Sequence, residues 1–213
     1  MKTWHKIALA FTLALSLHAS AKDSFLIGLK AGANFSTLSG DFGNIQTSIK
    51  TGIHIGIMAD MPLYKSLTFS TELLYSTKGI GQTEMGYYYV NNNPVFESID
   101  ESITMNYFEV PLLLKIKTKS GFHFDAGPYI SFLNSVDYYL SLDTSNTLNI
   151  VKTTVTEEFA SIDYGLIGGL GYQIEGEIGF NLRYEYGLVD VNKNGVSNLY
   201  ANRTVALSLN YFF

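Results

Sequence analysis

Apolar residues recur at every second position along most of this chain, and the pattern restarts eight times. The last stretch sets Val205, Leu207, Leu209, Tyr211 and Phe213 against Ala206, Ser208, Asn210 and Phe212. A period of two places successive side chains on opposite faces of a strand. The other seven stretches span residues 25–35, 53–61, 67–76, 108–116, 122–132, 162–174 and 178–188. No apolar stripe carries a charge, and only Thr71 is plainly polar. A charge at the midplane of a lipid-facing strand costs about 2–4 kcal/mol, so lipid would enforce this absence.

Alternation also fits a soluble barrel of the lipocalin kind, so the direction of each face needs separate arguments. The polar face carries Gly28, Gly32, Gly56, Gly127, Gly165, Gly169, Gly171, Gly179 and Gly187, whereas the apolar face holds only Gly168. Glycine suits the tight interior of a small barrel and is a poor choice for a solvated exterior. Aromatics on the apolar face collect at the strand ends. Phe35, Tyr75, Phe108, Phe132, Tyr164 and Tyr186 mark one rim, and Phe25, Phe69, Phe122, Tyr172, Tyr211 and Phe213 the other. Two such girdles belong at two membrane interfaces.

The connections alternate in length. Residues 62–66, 119–121 and 175–177 are short, while 36–52, 76–107, 133–161 and 189–204 are long. The pattern predicts an all-β fold, an eight-stranded antiparallel transmembrane barrel of up-and-down topology. Short periplasmic turns, long extracellular loops and two periplasmic termini follow from it. Pairing Ile174 with Ile178 sets Tyr172 against Phe180, Leu170 against Leu182, Gly168 against Tyr184 and Gly169 against Arg183. A tyrosine ring over Gly168 would then be an aromatic rescue, and Gly169 would leave room for the arginine. Pro111 and Pro128 fall nearly opposite one another, and their missing amides are expected to share one bulge. Residues 147–156 alternate weakly and are expected to extend strands above the membrane.

The first 21 residues read as a secretory signal. Lys2 and Lys6 precede an apolar core at residues 7–17, and Ala19-Ser20-Ala21 is a small-residue cleavage site. Eleven apolar residues are too few for a membrane helix, so the expected domains are a signal peptide, 1–21, and a barrel, 22–213. The mature chain keeps twelve basic residues against nineteen acidic ones, which argues against nucleic-acid binding. There is no cysteine, hence no disulfide, thiolate nucleophile or Cys-based metal site.

Nine charged residues fall on the inward face: Lys30, Asp60, Glu72, Glu109, Lys115, Asp125, Asp163, Arg183 and Glu185. An eight-stranded interior is just wide enough to be filled by side chains, so these predict a salt-bridge network plugging the lumen. Arg183 is the expected central cation, with Glu72, Glu109 or Glu185 as alternative partners. A gated or proton-linked pore through the network is the sharper alternative. His54 and His123, the mature chain's two histidines, fall at different heights and do not share a site. Ser70 or Ser76 near His54 could sketch a triad, but no local motif supports one. No phosphate loop, metal-ligand spacing, cofactor signature or catalytic residue is expected. Tyr87, Tyr88 and Tyr89, followed by Val90 and three asparagines, place rigid aromatic area beside adaptable amides at the second long loop. Together they form a candidate contact surface.

The segments GLKAGANFS (28–36), TELLYSTKG (71–79), NYFEVPLLLKIK (106–117), DAGPYISFL (125–133) and FNLRYEYGL (180–188) resemble the PorT-type outer-membrane β-barrel family of Bacteroidetes-like bacteria. The glycine-rich strands are generic, but EVPLLLK followed by AGPY is more specific. The resemblance implies an outer-membrane location and eight strands, makes both prolines family features, and defines no catalytic residues. PorT itself is tied to the type IX secretion route, so secretion or assembly is one candidate role. The expected function is a monomeric barrel with a filled lumen, acting in structure or surface interaction rather than catalysis. Its partners would be outer-membrane lipid, the barrel-assembly machinery during biogenesis, and a protein at the extracellular loops or periplasmic turns. The alternatives are a PorT-like secretion or assembly factor and a narrow gated pore for small solutes.

Overall fold

The computed structural model describes residues 25–40, 46–90, 93–144, 147–174, 177–193 and 200–213. The signal-peptide reading of residues 1–21 lies outside them. Nine strands form one antiparallel sheet: β1 (Leu26–Ser39), β2 (Gln46–Tyr64), β3 (Leu67–Val90), β4 (Asn93–Lys117), β5 (Phe122–Thr144), β6 (Thr147–Thr154), β7 (Ile162–Ile174), β8 (Ile178–Gly187) and β9 (Ala201–Phe212). The order runs β4-β3-β2-β1-β9-β8-β7-β5-β6, and a β4–β5 ladder closes the ring. Eight strands therefore make the barrel. The ninth, β6, pairs among the described residues only with the upper part of β5.

The two faces separate as alternation demands. On β8, Phe180 and Tyr184 are about half exposed, whereas Asn181 and Arg183 are each 3% exposed. The β7–β8 register sets Ile174 against Ile178, Gly168 against Tyr184 and Gly169 against Arg183, as expected. A Cβ placed on Gly168 would meet nothing within 4 Å, so the Tyr184 ring does not cover it. The aromatic rescue is absent because a cross-strand neighbour leaning along its own strand leaves the glycine bare.

The prolines also differ from expectation. Pro111 stands opposite Tyr129, and the β4–β5 register is the same on both sides of the pair. Pro111 points inward and Pro128 outward. Their missing amides are accommodated without an inserted residue. The actual irregularity lies higher, where Asn106 pairs with Ser135 and Tyr107 with Leu133, leaving Asn134 as an extra residue on β5.

The expected loop at 76–107 is mostly strand. Paired residues run unbroken from Ser76↔Tyr107 to Val90↔Asn93. The other long connections shorten likewise, because β1 reaches Ser39, β2 begins at Gln46, β5 continues to Thr144 and β9 begins at Ala201. At about 3.3 Å per residue, the 24 residues of β3 extend roughly 80 Å, more than twice what a membrane crossing needs. The weakly alternating segment at 147–156 supplies β6. The upper parts of β2–β6 thus continue the barrel wall as a sheet beyond the aromatic rim. Across the mouth, Ala160 N–H donates to Val191 O and Val191 N–H to Tyr200 O (both 2.8 Å). These segments seat Val191 in an apolar cluster with Leu38, Ile80, Met105, Tyr107 and Val136.

Candidate functional site

Below that cluster the lumen is filled by charge. All nine inward residues named from the sequence are buried, and Lys78 joins them. Arg183, from the middle of β8, donates from Nη1 to Glu72 on β3 (2.9 Å) and from Nη2 to Asp125 on β5 (2.7 Å). Lys30 on β1 donates to both Glu72 oxygens, at 3.0 and 3.1 Å. Glu72 is thus gripped by two cations, from β1 and β8. Gly169 makes the space: a Cβ there would lie 2.6 Å from both Arg183 Cγ and Asp125 Oδ1. Toward the short-turn end, Lys115 (2.8 Å) and Lys117 (3.0 Å) bind Asp60.

The upper network is centred on Lys78, which the sequence reading missed because residue 78 fell in an expected loop. Its ammonium reaches Glu109 at 2.5 Å and Glu185 at 2.6 Å and lies 4.6 Å from the Tyr129 ring centre. Glu109 and Glu185 are therefore held by Lys78, whereas Arg183 takes Glu72 and Asp125. Asp163 has no ion pair among the described residues. The Asn202 amide (2.9 Å) and Tyr129 hydroxyl (3.3 Å) hold it instead.

Between the two networks lies a cavity bounded by Lys30, His54, Glu109, Arg183, Glu185 and Ser208, with about 10 Å³ of room for the centre of a water molecule. That is roughly one water. On its wall, His54 Nδ1 lies 2.8 Å from Asn34 Oδ1 and His54 Nε2 lies 2.8 Å from Ser208 Oγ. Asn34 Nδ2 donates to Ser76 Oγ and Thr77 O (both 3.0 Å), which fixes its amide. Its carbonyl oxygen must accept from Nδ1–H, leaving Nε2 to accept from the Ser208 hydroxyl. Serine, imidazole and orienting amide stand in the order of a nucleophile relay. The serine is Ser208 rather than Ser70 or Ser76, and its surroundings admit a water rather than a substrate. His123 bonds separately to Asn181 Nδ2 (2.8 Å). Among the described residues no group of three His, Cys, Asp or Glu side chains is placed to hold a metal ion.

Tyr87, Tyr88 and Tyr89 lie in the final turn-ward part of β3, opposite Phe96, Val95 and Pro94. Their side chains are outside the described atoms. Lower on the projecting sheet, the Tyr139 ring on β5 is flanked by Lys50 Nζ at 5.7 Å and Lys152 Nζ at 5.4 Å from its centre. Lys152 also pairs with Asp137 at 3.2 Å, and hydrogen bonding to that carboxylate raises its pKa above the ordinary lysine value.

The family model for the outer membrane protein beta-barrel domain matches residues 18–193. Among solved structures, neisserial surface protein A is 13% identical with a TM-score of 0.45, the match covering 90% of this chain and 100% of that one. Ail of Yersinia pestis is 10% identical with a TM-score of 0.45 and the same coverage. The N-terminal barrel domain of OprF from Pseudomonas aeruginosa is 12% identical with a TM-score of 0.28, covering 87% of this chain and 97% of that one. No curated protein matches the sequence. With most of its length matched and its strands closed into an eight-stranded ring with an apolar outer face, this chain belongs to the outer membrane protein beta-barrel domain family and resides in the outer membrane.

Proposed function

We propose that this protein is a monomeric outer-membrane barrel with a sealed interior, acting through the sheet that projects beyond the far aromatic rim. The observation that carries this reading is the pairing of a closed lumen with an extended wall. Two charge networks and an apolar cap fill the barrel, while β3 and β4 continue in register to Val90 and Asn93. Long projections belong on the outer face of such membranes and short turns on the periplasmic face, so both termini are assigned to the periplasm. Under this reading the lumen serves as scaffold, and specificity resides in the hairpins.

The chain has no cysteine, so single cysteines report topology without background. A membrane-impermeant maleimide on whole cells should label Ser141→Cys and leave Lys119→Cys unreacted. The reverse pattern would overturn the orientation. In planar bilayers the wild-type barrel should stay silent at all voltages, and stable single-channel steps would favour the narrow-pore alternative.

A PorT-like secretion or assembly role is the second reading, and the short-turn end supports it. Lys117 N–H donates to Ser66 O (2.8 Å), so two turns touch and bring Lys65 and Lys119 to one rim, while the Lys117 ammonium is turned to Asp60. Such a basic rim suits an acidic periplasmic partner. Photo-crosslinkers at Lys65 and at Tyr88 separate the two readings by which position captures a protein.

A further inference from the structure

β5 keeps β4 on one side along nearly its whole length. On its other side β7 runs as far as Phe132↔Ile162, and β6 takes over from Asp137↔Thr154 upward. β6 stands last in the sheet order. The Val155 N–H donates to Val136 O (3.0 Å), which continues the β5–β6 ladder by one residue pair. Bonded and non-bonded pairs alternate in an antiparallel ladder, so Thr147, Asn149, Val151 and Thr153 direct their main-chain groups to β5. The N–H and C=O groups of Leu148, Ile150, Lys152 and Thr154 therefore point the other way. Among the described residues no strand meets them.

Edge strands are ordinarily guarded by a proline, a bulge or a lysine held across the open side. Thr147–Thr154 contains no proline or glycine and a single charge, and five of its eight residues are β-branched, which favours extended backbone. The lysine is drawn back over the sheet: Lys152 Nζ lies 3.2 Å from Asp137 Oδ2 and 5.4 Å from the Tyr139 ring centre, both on β5. Thr154 Oγ1 donates to the same Asp137 carboxylate (3.1 Å). Both side chains thus lean away from the edge and leave its main chain bare. With about 3.3 Å per residue on a strand tilted by about 40°, the row lies roughly 10–30 Å beyond the Phe132 rim. Its lower end meets the short 3-10 turn Thr156–Glu158, where Glu157 and Glu158 are exposed. Lys193 Nζ there meets the Glu157 carbonyl (3.1 Å), and neither carboxylate forms an ion pair among the described residues.

The geometry points to strand addition: an extended segment of a partner protein pairs with the free side of β6, antiparallel to it, with lysine or arginine at its first residues. A bare row of N–H and C=O groups is matched by another main chain, which gives affinity without a pocket. Antiparallel pairing is the more stable per residue. β6 descends toward the membrane, so an antiparallel guest enters at the foot of the edge, and its leading cations meet Glu157 and Glu158. The assignment rests on the projecting sheet acting at the cell exterior.

The test uses the full barrel in detergent micelles and a fluorescent peptide of two lysines followed by four Thr-Val repeats, read by anisotropy. Wild type should bind it, and the same peptide methylated at every main-chain nitrogen should not. Lys152→Pro removes one outward N–H that the β5 ladder does not use, and should weaken binding by about tenfold or more. Lys152→Ala keeps that N–H and should stay within about threefold of wild type. Amide hydrogen exchange supplies a second readout. The peptide should slow Ile150, Lys152 and Thr154, while Val151 and Thr153 are slow already. Slow exchange at Val151 in the Lys152→Pro barrel, with heat-dependent gel mobility, checks that the variant keeps its fold. Equal losses in Lys152→Pro and Lys152→Ala overturn main-chain recognition, and equal binding of a peptide with its lysines at the last two positions overturns the direction. Slowing that follows barrel concentration without peptide gives the edge to a second copy and overturns the assignment. Outside labelling of Ser141→Cys with no peptide binding sinks this edge alone; absence of labelling sinks the orientation beneath it.

Discussion

Gly169 of β7 stands directly across from Arg183 of β8, and the space of its missing side chain is where the arginine turns to reach both Glu72 and Asp125. A branched side chain there would push Cγ of Arg183 and the Asp125 carboxylate apart. Gly169→Val is expected to destabilise the barrel by about 2–4 kcal/mol, through overpacking and loss of ion-pair geometry. Gly168→Ala, one residue away on the lipid face, should be neutral, because its new methyl enters open space. Urea unfolding in phospholipid vesicles, followed by tyrosine emission, measures both.

Removing the central cation strands the buried Asp125 and leaves Glu72 with Lys30 alone. Arg183→Met should cost about 3–5 kcal/mol. Adding Asp125→Asn should recover part of that loss, since the uncompensated charge is smaller. If the double variant unfolds at lower urea than the single, the two groups do not act as a pair.

Lys78 predicts a parallel result in the upper network. Lys78→Met leaves Glu109 and Glu185 facing each other without their shared cation, and about 3–5 kcal/mol should be lost. Asp163→Asn should be mild by comparison, within about 1 kcal/mol, because Asp163 is held by an amide and a phenol rather than a cation. A larger cost for Asp163→Asn than for Lys78→Met would overturn this division of the lumen.

Ser208 has the hydrogen bond of a nucleophile, yet its cavity holds about one water. The folded barrel should therefore resist a fluorophosphonate probe over hours. Labelling at Ser208, read by peptide mass spectrometry, would indicate a substrate path and hydrolytic chemistry.

Within the membrane the strands were legible because lipid leaves only one face free to be polar. That constraint, with the glycines of the polar face and the aromatic rims, located nine inward charges, and pairing Ile174 with Ile178 gave the β7–β8 register. It stops working where β3 passes Tyr75. Beyond the rim the outside is water, so the apolar positions move inward, to Ile80, Ile103, Met105 and Val136. Outward positions there become Gly79, Gly81 and Ser102. Alternation continues with its polarity reversed, and a search for outward apolar stripes reads it as loop. Lys78 sits at this reversal and was lost with it. Ser208 was missed for another reason: it lies 154 residues from His54, and no local spacing joins them.

Asn134, the unpaired residue on β5, has a further consequence. Below it the odd-numbered residues point into the barrel, and above it the even-numbered ones do. Deleting this one position would leave Ser135 opposite Asn106 and Val136 opposite Met105, so the ladder would run straight through with the same residues facing in. The bulge absorbs the extra residue: the residue numbers change parity above it, while the two sides of the sheet keep their identities. The projection is therefore built to take a change of length at this point without exchanging the surface that meets the outside world.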